Sequence, residues 1–214
     1  MKNLILLDKK PLLHYTIMAS KKSNLISRTI VTTDNSKIKN LANKMGAETI
    51  VRPKKLASAK AQLEPTIEHV LSTLEKQENY RPDVIVLLQN TSPFRTEKHI
   101  DEALEYFFKN QFDSVLSGFC SHYFVWKLRK NHIIPFNYKP MRRPNRQEMK
   151  NEFIENGAIY ITKFTSFKKS KCRLSGKIGL YTMPEILSLQ IDTYHDIFLT
   201  NNIMKMRKNG KFKI

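Results

Sequence analysis

From Asp83 to Arg95 the chain reads Asp-Val-Ile-Val-Leu-Leu-Gln-Asn-Thr-Ser-Pro-Phe-Arg, an apolar run that stops abruptly in amide, hydroxyl and guanidinium side chains. That pattern is how a ligand site looks at the carboxyl end of a strand. A strand covered on both faces is apolar throughout, and in open α/β sheets ligands bind in the crevice outside the carboxyl ends of the strands. Pro93 prevents further pairing, and Thr96-Glu97 open the next helix. The same residues would also make a plain strand-to-helix loop, so the rest of the chain has to decide.

The elements needed to hold such a site are written around it. Thr29 to Asp34 reads as a buried strand, and Asp34-Asn35-Ser36 caps a helix carrying Ile38, Leu41, Ala42 and Met45, ended by Gly46. Glu48 to Val51 is another short strand. Pro65 to Gln77 is a helix with Ile67, Val70, Leu71 and Leu74 at helical spacing, and it feeds the strand at Val84. Thr96 to Asn110 is a further helix, followed by a strand from Ser114 to Ser117. Strands recur at Gly157 to Thr162 and near Gly179 to Pro184, and a last helix runs from about Tyr194 to Met206. This β-α-β-α alternation predicts an α/β fold in three layers, with a mostly parallel sheet and helices on both faces. Residues 120–153, with Trp126 and the loop Lys139 to Arg146, break the rhythm and read as an excursion from the sheet.

A chain of 214 residues, 41% hydrophobic, is long enough for one well-buried core, so residues 1–214 are expected to form a single domain. The longest apolar runs are far shorter than the roughly 18 residues that cross a bilayer, and Asn3 to Leu7 is too short for a signal-peptide core, which points to the cytoplasm. Cys120 and Cys172 lie far apart, with no metal-ligand spacing, and the six histidines are scattered. The net charge of +18 would suit a nucleic-acid binder, but the cations are spread along the chain as solvated faces are. That charge still draws in an anionic small substrate such as a nucleotide or a sugar acid.

Four segments in order carry a resemblance: Val51-Arg52-Pro53-Lys54-Lys55-Leu56-Ala57, Leu88 to Arg95, Glu155-Asn156-Gly157-Ala158-Ile159-Tyr160-Ile161, and Ile191-Asp192-Thr193. Together they resemble the acylneuraminate cytidylyltransferase family, the CMP-sialic acid synthetases and relatives acting on legionaminic and pseudaminic acids. The resemblance implies a nucleotide-diphospho-sugar transferase-like (Rossmann-like) fold and attack of a nonulosonic acid's anomeric hydroxyl on the α-phosphate of CTP. Such catalysis is largely electrostatic positioning of two anions. It implies Mg2+ held by Asp192, which would otherwise be a turn aspartate capping the last helix. It places Lys2, Asn3 and Arg52 at the nucleotide, with Lys2 and Asp192 catalytic. Gln89, Thr91, Ser92, Arg95, Arg143, Arg146, Asn156 and Tyr160 fall at the sugar acid, with Arg95 otherwise an exposed arginine at a helix start. A homodimer formed through the excursion is implied as well.

The pattern also departs from the family. Relatives open with a strand and a glycine-rich loop that ends in the Lys-Asn matched here by Lys2-Asn3. Gln190 stands where many carry a second aspartate, Asn90 replaces a proline and Ala59 a common acidic residue. These departures keep open a non-catalytic member of the family that binds a nucleotide or a partner protein. Charge alone supports a nucleic-acid binder.

Overall fold

The computed structural model describes residues 2–58, 61–149 and 152–209; Ala59, the start at Met1 and the tail beyond Asn209 lie outside them. A short hairpin, β1 (Leu6–Leu7) and β2 (Lys10–Pro11), leads into α1 (Leu12–Lys22). Then β3 (Ile30–Thr33), α2 (Ser36–Lys44) and β4 (Glu48–Val51) form a parallel pair with its crossover helix. The Asn35 side chain caps α2 by accepting from the Lys37 and Ile38 amides at 3.0 and 3.2 Å. Gly46 takes the positive φ of +75° that turns the chain back into β4.

The larger sheet follows. After α3 (Leu63–Glu78) come β5 (Val84–Leu87), α4 (Glu97–Lys109) and β6 (Ser114–Cys120). The excursion holds an antiparallel hairpin, β7 (Trp126–Arg129) and β8 (His132–Pro135). The chain returns through β9 (Phe153–Lys163), α5 (Phe164–Ser170), β10 (Ile178–Thr182) and α6 (Tyr194–Lys208). The strand order is β10-β6-β9-β5. β10 and β6 run parallel, as the alternation predicts, whereas β9 runs against both neighbours. The reason is the excursion: β6 leaves the sheet at its carboxyl end and the chain re-enters beside that same end, Cys120 facing Phe153, so β9 has to run backwards.

β5 shows why the sheet needs helices on both sides. Val84 and Val86 pack into a core with Ile100, Leu104 and Phe107 of α4, while Ile85 and Leu87 pack with Ile67 and Leu71 of α3 and Phe167 of α5. Alternate residues of a strand point to opposite faces, so an all-apolar strand must be covered twice. α1 divides its apolar residues likewise, Leu12 and Ala19 joining the core with α4 and Leu13 and Ile17 joining Ile38 and Ala42 of α2. Among the described residues, no helix is long and apolar enough to cross a membrane.

Candidate functional site

The carboxyl ends of β5, β6 and β10 meet the start of β9, and there the ladder is interrupted. Leu116 faces Tyr160 and Gly118 faces Glu155, so Ser117 alone lies opposite the four residues Asn156 to Ile159. The extra residues make a bulge, with Gly157 at φ +65°. Its polar groups are satisfied from within. Ser117 Oγ donates to Asn156 Oδ1 at 2.6 Å and accepts from the Ile159 amide at 2.8 Å. Asn156 Oδ1 also accepts from the Ala158 amide, and Nδ2 donates to Ser188 Oγ at 2.9 Å. Asn156 is only 1% exposed, so its side chain holds the wall of the site from behind and offers nothing to a ligand.

The loop after β5 is fastened to this bulge. Ser92, buried, donates through Oγ to the Asn156 carbonyl at 3.4 Å, and the Thr91 carbonyl accepts from the Ile191 amide at 2.9 Å. Arg95 is 2% exposed, not an exposed helix-start residue. Its guanidinium donates to the carbonyls of Gln89 (3.0 Å) and Ala158 (2.7 Å) and to Thr16 Oγ1 on α1 (2.7 Å). Burial among neutral groups pulls its pKa down to about 9. Arg95 therefore braces the loop that carries Gln89. Gln89 itself reaches over Gly157, where its amide fills the space a Cβ would need.

Lys2 and Asp192, 190 residues apart, meet at 2.8 Å between Nζ and Oδ1. Asn3 shares the single 3-10 turn, Lys2–Leu4, that carries Lys2. Asp192 lies just ahead of α6, but it is not the cap. Thr193 is the N-cap, and Asp196 closes the capping box, accepting from the amides of Asp192 (2.9 Å) and Thr193 (2.7 Å), contacts that hold its own carboxyl below the usual range. The Asp192 side chain stays 65% exposed. Among the described residues no three His, Cys, Asp or Glu side chains cluster as a metal cage. One open carboxylate suits Mg2+, which is commonly held by one or two carboxylates with substrate phosphates and water completing its shell.

Arg143 and Arg146 come together in a cavity of about 570 Å³, with His122, Tyr123 and Glu185 in its wall. The Arg143 guanidinium lies 4.2 Å above the Phe124 ring, and Tyr123 donates its hydroxyl to Glu185 at 3.0 Å. His122 Nδ1 is buried without a protein partner. The 3-10 turn Glu185–Leu187 leads into Ser188, which joins this cavity's wall to Asn156. Arg52 follows β4, its amide bonded to the Thr33 carbonyl at 2.9 Å and its buried Nε without a partner, a donor that an anion would satisfy. Tyr160 is buried in mid-strand, donates its hydroxyl to Glu155 and carries the Arg173 guanidinium 4.8 Å over its ring. Burial and Glu155 push its phenol up to about 12.

The comparisons are consistent with this geometry. Residues 1–204 match the family model described as cytidylyltransferase. The chain belongs to the cytidylyltransferase family. It is 32% identical over 218 aligned residues to the N-acylneuraminate cytidylyltransferase of Escherichia coli O18:K1:H7, covering all of this chain and 50% of that protein. It is 31% identical to N-acylneuraminate cytidylyltransferase A of Danio rerio, with coverage of 90% and 44%. The chain thus spans about half the length of the curated relatives it matches. Its fold is that of 4-diphosphocytidyl-2C-methyl-D-erythritol synthase from Anaerococcus prevotii (TM-score 0.68, 13% identity, 95% and 93% coverage). It is equally that of CMP:2-keto-3-deoxy-manno-octonic acid synthetase in complex with CTP (TM-score 0.66, 12% identity, 96% and 92% coverage). Within this cytidylyltransferase fold, sequence reasoning overlooked Ser117 and Ser188. A serine inside an apolar strand and an Asn-Gly pair in a strand facing it were the available signal.

Proposed function

We propose that this chain is a CTP-dependent cytidylyltransferase that activates a nonulosonic acid, sialic, legionaminic or pseudaminic, to its CMP-sugar with release of pyrophosphate. The observation that carries the reading is the Lys2–Asp192 pair, an exposed cation and carboxylate from opposite ends of the chain, beside the loop that bears Gln89. Arg52 and Lys2 would hold the nucleotide's phosphates, Asn3 would line that site, and Gln89 with Thr91 would hydrogen-bond the sugar acid. Arg143 and Arg146 would take its carboxylate in their shared cavity. Ser92, Arg95, Asn156 and Tyr160 would keep those groups in register. The anomeric oxygen forms a bond to the α-phosphorus, the bond to the bridging oxygen of pyrophosphate breaks, and the hydroxyl proton passes to solvent. Mg2+ bound at Asp192 would neutralise charge on the departing pyrophosphate. Catalysis then rests on orientation and charge, the largest contributions for phosphoryl chemistry of this kind.

The same reading treats residues 1–214 as one domain working in the cytoplasm, with residues 120–153 as an element for substrate and homodimer contacts. Leu128 (76% exposed) and Ile133, paired across the hairpin, form an exposed apolar surface that a second copy would cover. The test is Mg2+-dependent pyrophosphate release from CTP, with UTP, ATP and GTP as controls, offered each of the three acids. Release with CTP and one acid is expected. Silence with every pair, while CTP still binds, would make the chain a non-catalytic nucleotide binder, the reading that Gln190 favours.

A further inference from the structure

Position 190 holds an amide where a carboxylate would serve a metal, and its surroundings explain what the amide does. Gln190 Nε2 donates to the Asn156 carbonyl at 2.6 Å, the same carbonyl that receives Ser92 Oγ. The next residue, Ile191, is buried and gives its amide to the Thr91 carbonyl. The one after, Asp192, meets Lys2. Three successive residues are thus fastened to three different parts of the site: the bulge of β9, the loop after β5 and the amino-terminal turn.

The Gln190 amide also shares a location with Gln89. Gly157 has φ +65°, and a Cβ on it would collide with Gln89 Oε1 and stand 3.0 Å from Gln190 Nε2. The two amides therefore converge over one Cα, one presenting its oxygen and the other its nitrogen. Gln190 Nε2 has the Asn156 carbonyl, an acceptor, as its partner. An amide fits such a place because it donates. An ionised carboxylate would face that carbonyl with no donor between them, and a half-buried carboxylate so placed is destabilised and takes up a proton instead.

We propose that Gln190 is a positioning residue that sets Gln89 and Asp192 relative to each other, and that position 190 is closed to metal. The inference rests on the site assignment made under Proposed function, because it takes Gln89 and Asp192 to face substrate and metal. It assigns the carboxylate share of metal binding to Asp192 alone, with substrate phosphates supplying the rest.

Gln190→Glu and Gln190→Met separate this role from a metal-ligand role and from plain packing. Glutamate keeps the length and loses the donor only when ionised; methionine keeps the bulk and never donates. Thermal midpoints of the ligand-free chain, taken from pH 4.5 to 8, are expected to show Gln190→Glu close to the unsubstituted chain at the acid end. The gap opens as the pH rises, because the carboxyl, held above its usual value of about 4.3, ionises against the carbonyl. Gln190→Met falls short by the same amount at every pH. Mn2+ added alone and followed by its electron paramagnetic resonance signal is expected to bind Gln190→Glu no more tightly than the unsubstituted chain. In pyrophosphate release, Gln190→Met is expected to lose about tenfold in kcat with the KM for CTP unchanged, a loss of orientation without a loss of nucleotide binding.

A Gln190→Glu chain as stable as the unsubstituted one at pH 8, or one that binds Mn2+ more tightly or turns over faster, would overturn the proposal and make position 190 a metal position left vacant. If the unsubstituted chain releases no pyrophosphate with any acid, the catalytic reading fails by itself. The melting and Mn2+ measurements still decide what Gln190 does.

Discussion

The bulge of β9 and the excursion between β6 and β9 lie side by side in the fold and are built on opposite terms. In the bulge, Asn156, Ser117, Ser92 and Arg95 are buried and exchange hydrogen bonds with one another and with backbone carbonyls. In the excursion, β7 is exposed along its whole length, and Arg143 and Arg146 stand at an open cavity with one stacked on Phe124. A closed polar network is rigid because each group removed strands its partners. An exposed arm costs the fold little to change. The site is therefore assembled from a fixed wall and an adaptable one, and the two should respond differently to substitution.

The largest effect is expected in the fixed wall. Asn156→Ala would strand the Ala158 amide and take one partner from each of the hydroxyls of Ser117 and Ser188, which keep the Ile159 and Pro184 carbonyls, costing about 2 kcal/mol and lowering the melting midpoint by about 6 °C. A urea titration gives the first number and calorimetry the second; a midpoint within a degree or two of the unsubstituted chain would show that the bulge is held by something else. In the excursion, the pair Arg143→Ala with Arg146→Ala should leave the stability within about 0.5 kcal/mol and raise the KM for the proposed sugar acid about tenfold or more. A large loss of stability in that double variant would erase the contrast between the two walls. The homodimer proposed through the hairpin predicts that Leu128→Glu weakens self-association about tenfold in sedimentation without moving the protomer's own stability.

The same contrast governs what could be read from the sequence. Periodicity, caps and glycines revealed the elements because those signals are local: Asn35 caps α2, Gly46 ends it and Glu48–Val51 is a strand, all as expected. The direction of β9 was not legible, since it depends on where the excursion returns the chain, and no residue of β9 records that. Gln89, Asp192 and Lys2 were legible as candidates through resemblance, and the fold brings Lys2 and Asp192 into contact. What resemblance could not convey is which candidates face outward. Asn156, Ser92 and Arg95 look like ligand-binding residues in sequence, yet they are buried and bonded to the protein, Arg95 through both terminal nitrogens with its Nε unpartnered, and that depends on partners as distant as Thr16 and Ser188.

The smallest effect lies where the fixed wall meets a titratable group. His99 is the third residue of α4, and its Nδ1 accepts the Thr96 amide at 3.1 Å, the place a glutamate or glutamine takes in a capping box. That bond requires Nδ1 unprotonated. Burial, with Lys98, Arg95 and Arg207 nearby, holds the His99 pKa below 6.5, and Glu102 opposes this only in part. The unfolded chain then binds the proton more readily than the folded one. Stability from this group is complete above about pH 6.5 and drains away as the pH falls through and below that value. Loss of the contact should cost about 1 kcal/mol, or about 3 °C in the midpoint, between pH 7 and pH 5. His99→Gln keeps an acceptor at the same place and carries no proton to lose, so its midpoint should fall less steeply across that interval. Parallel curves for the two chains would mean that the acid sensitivity of the loop carrying Gln89 arises elsewhere, and the loop's rigidity would then not depend on the helix start that follows it.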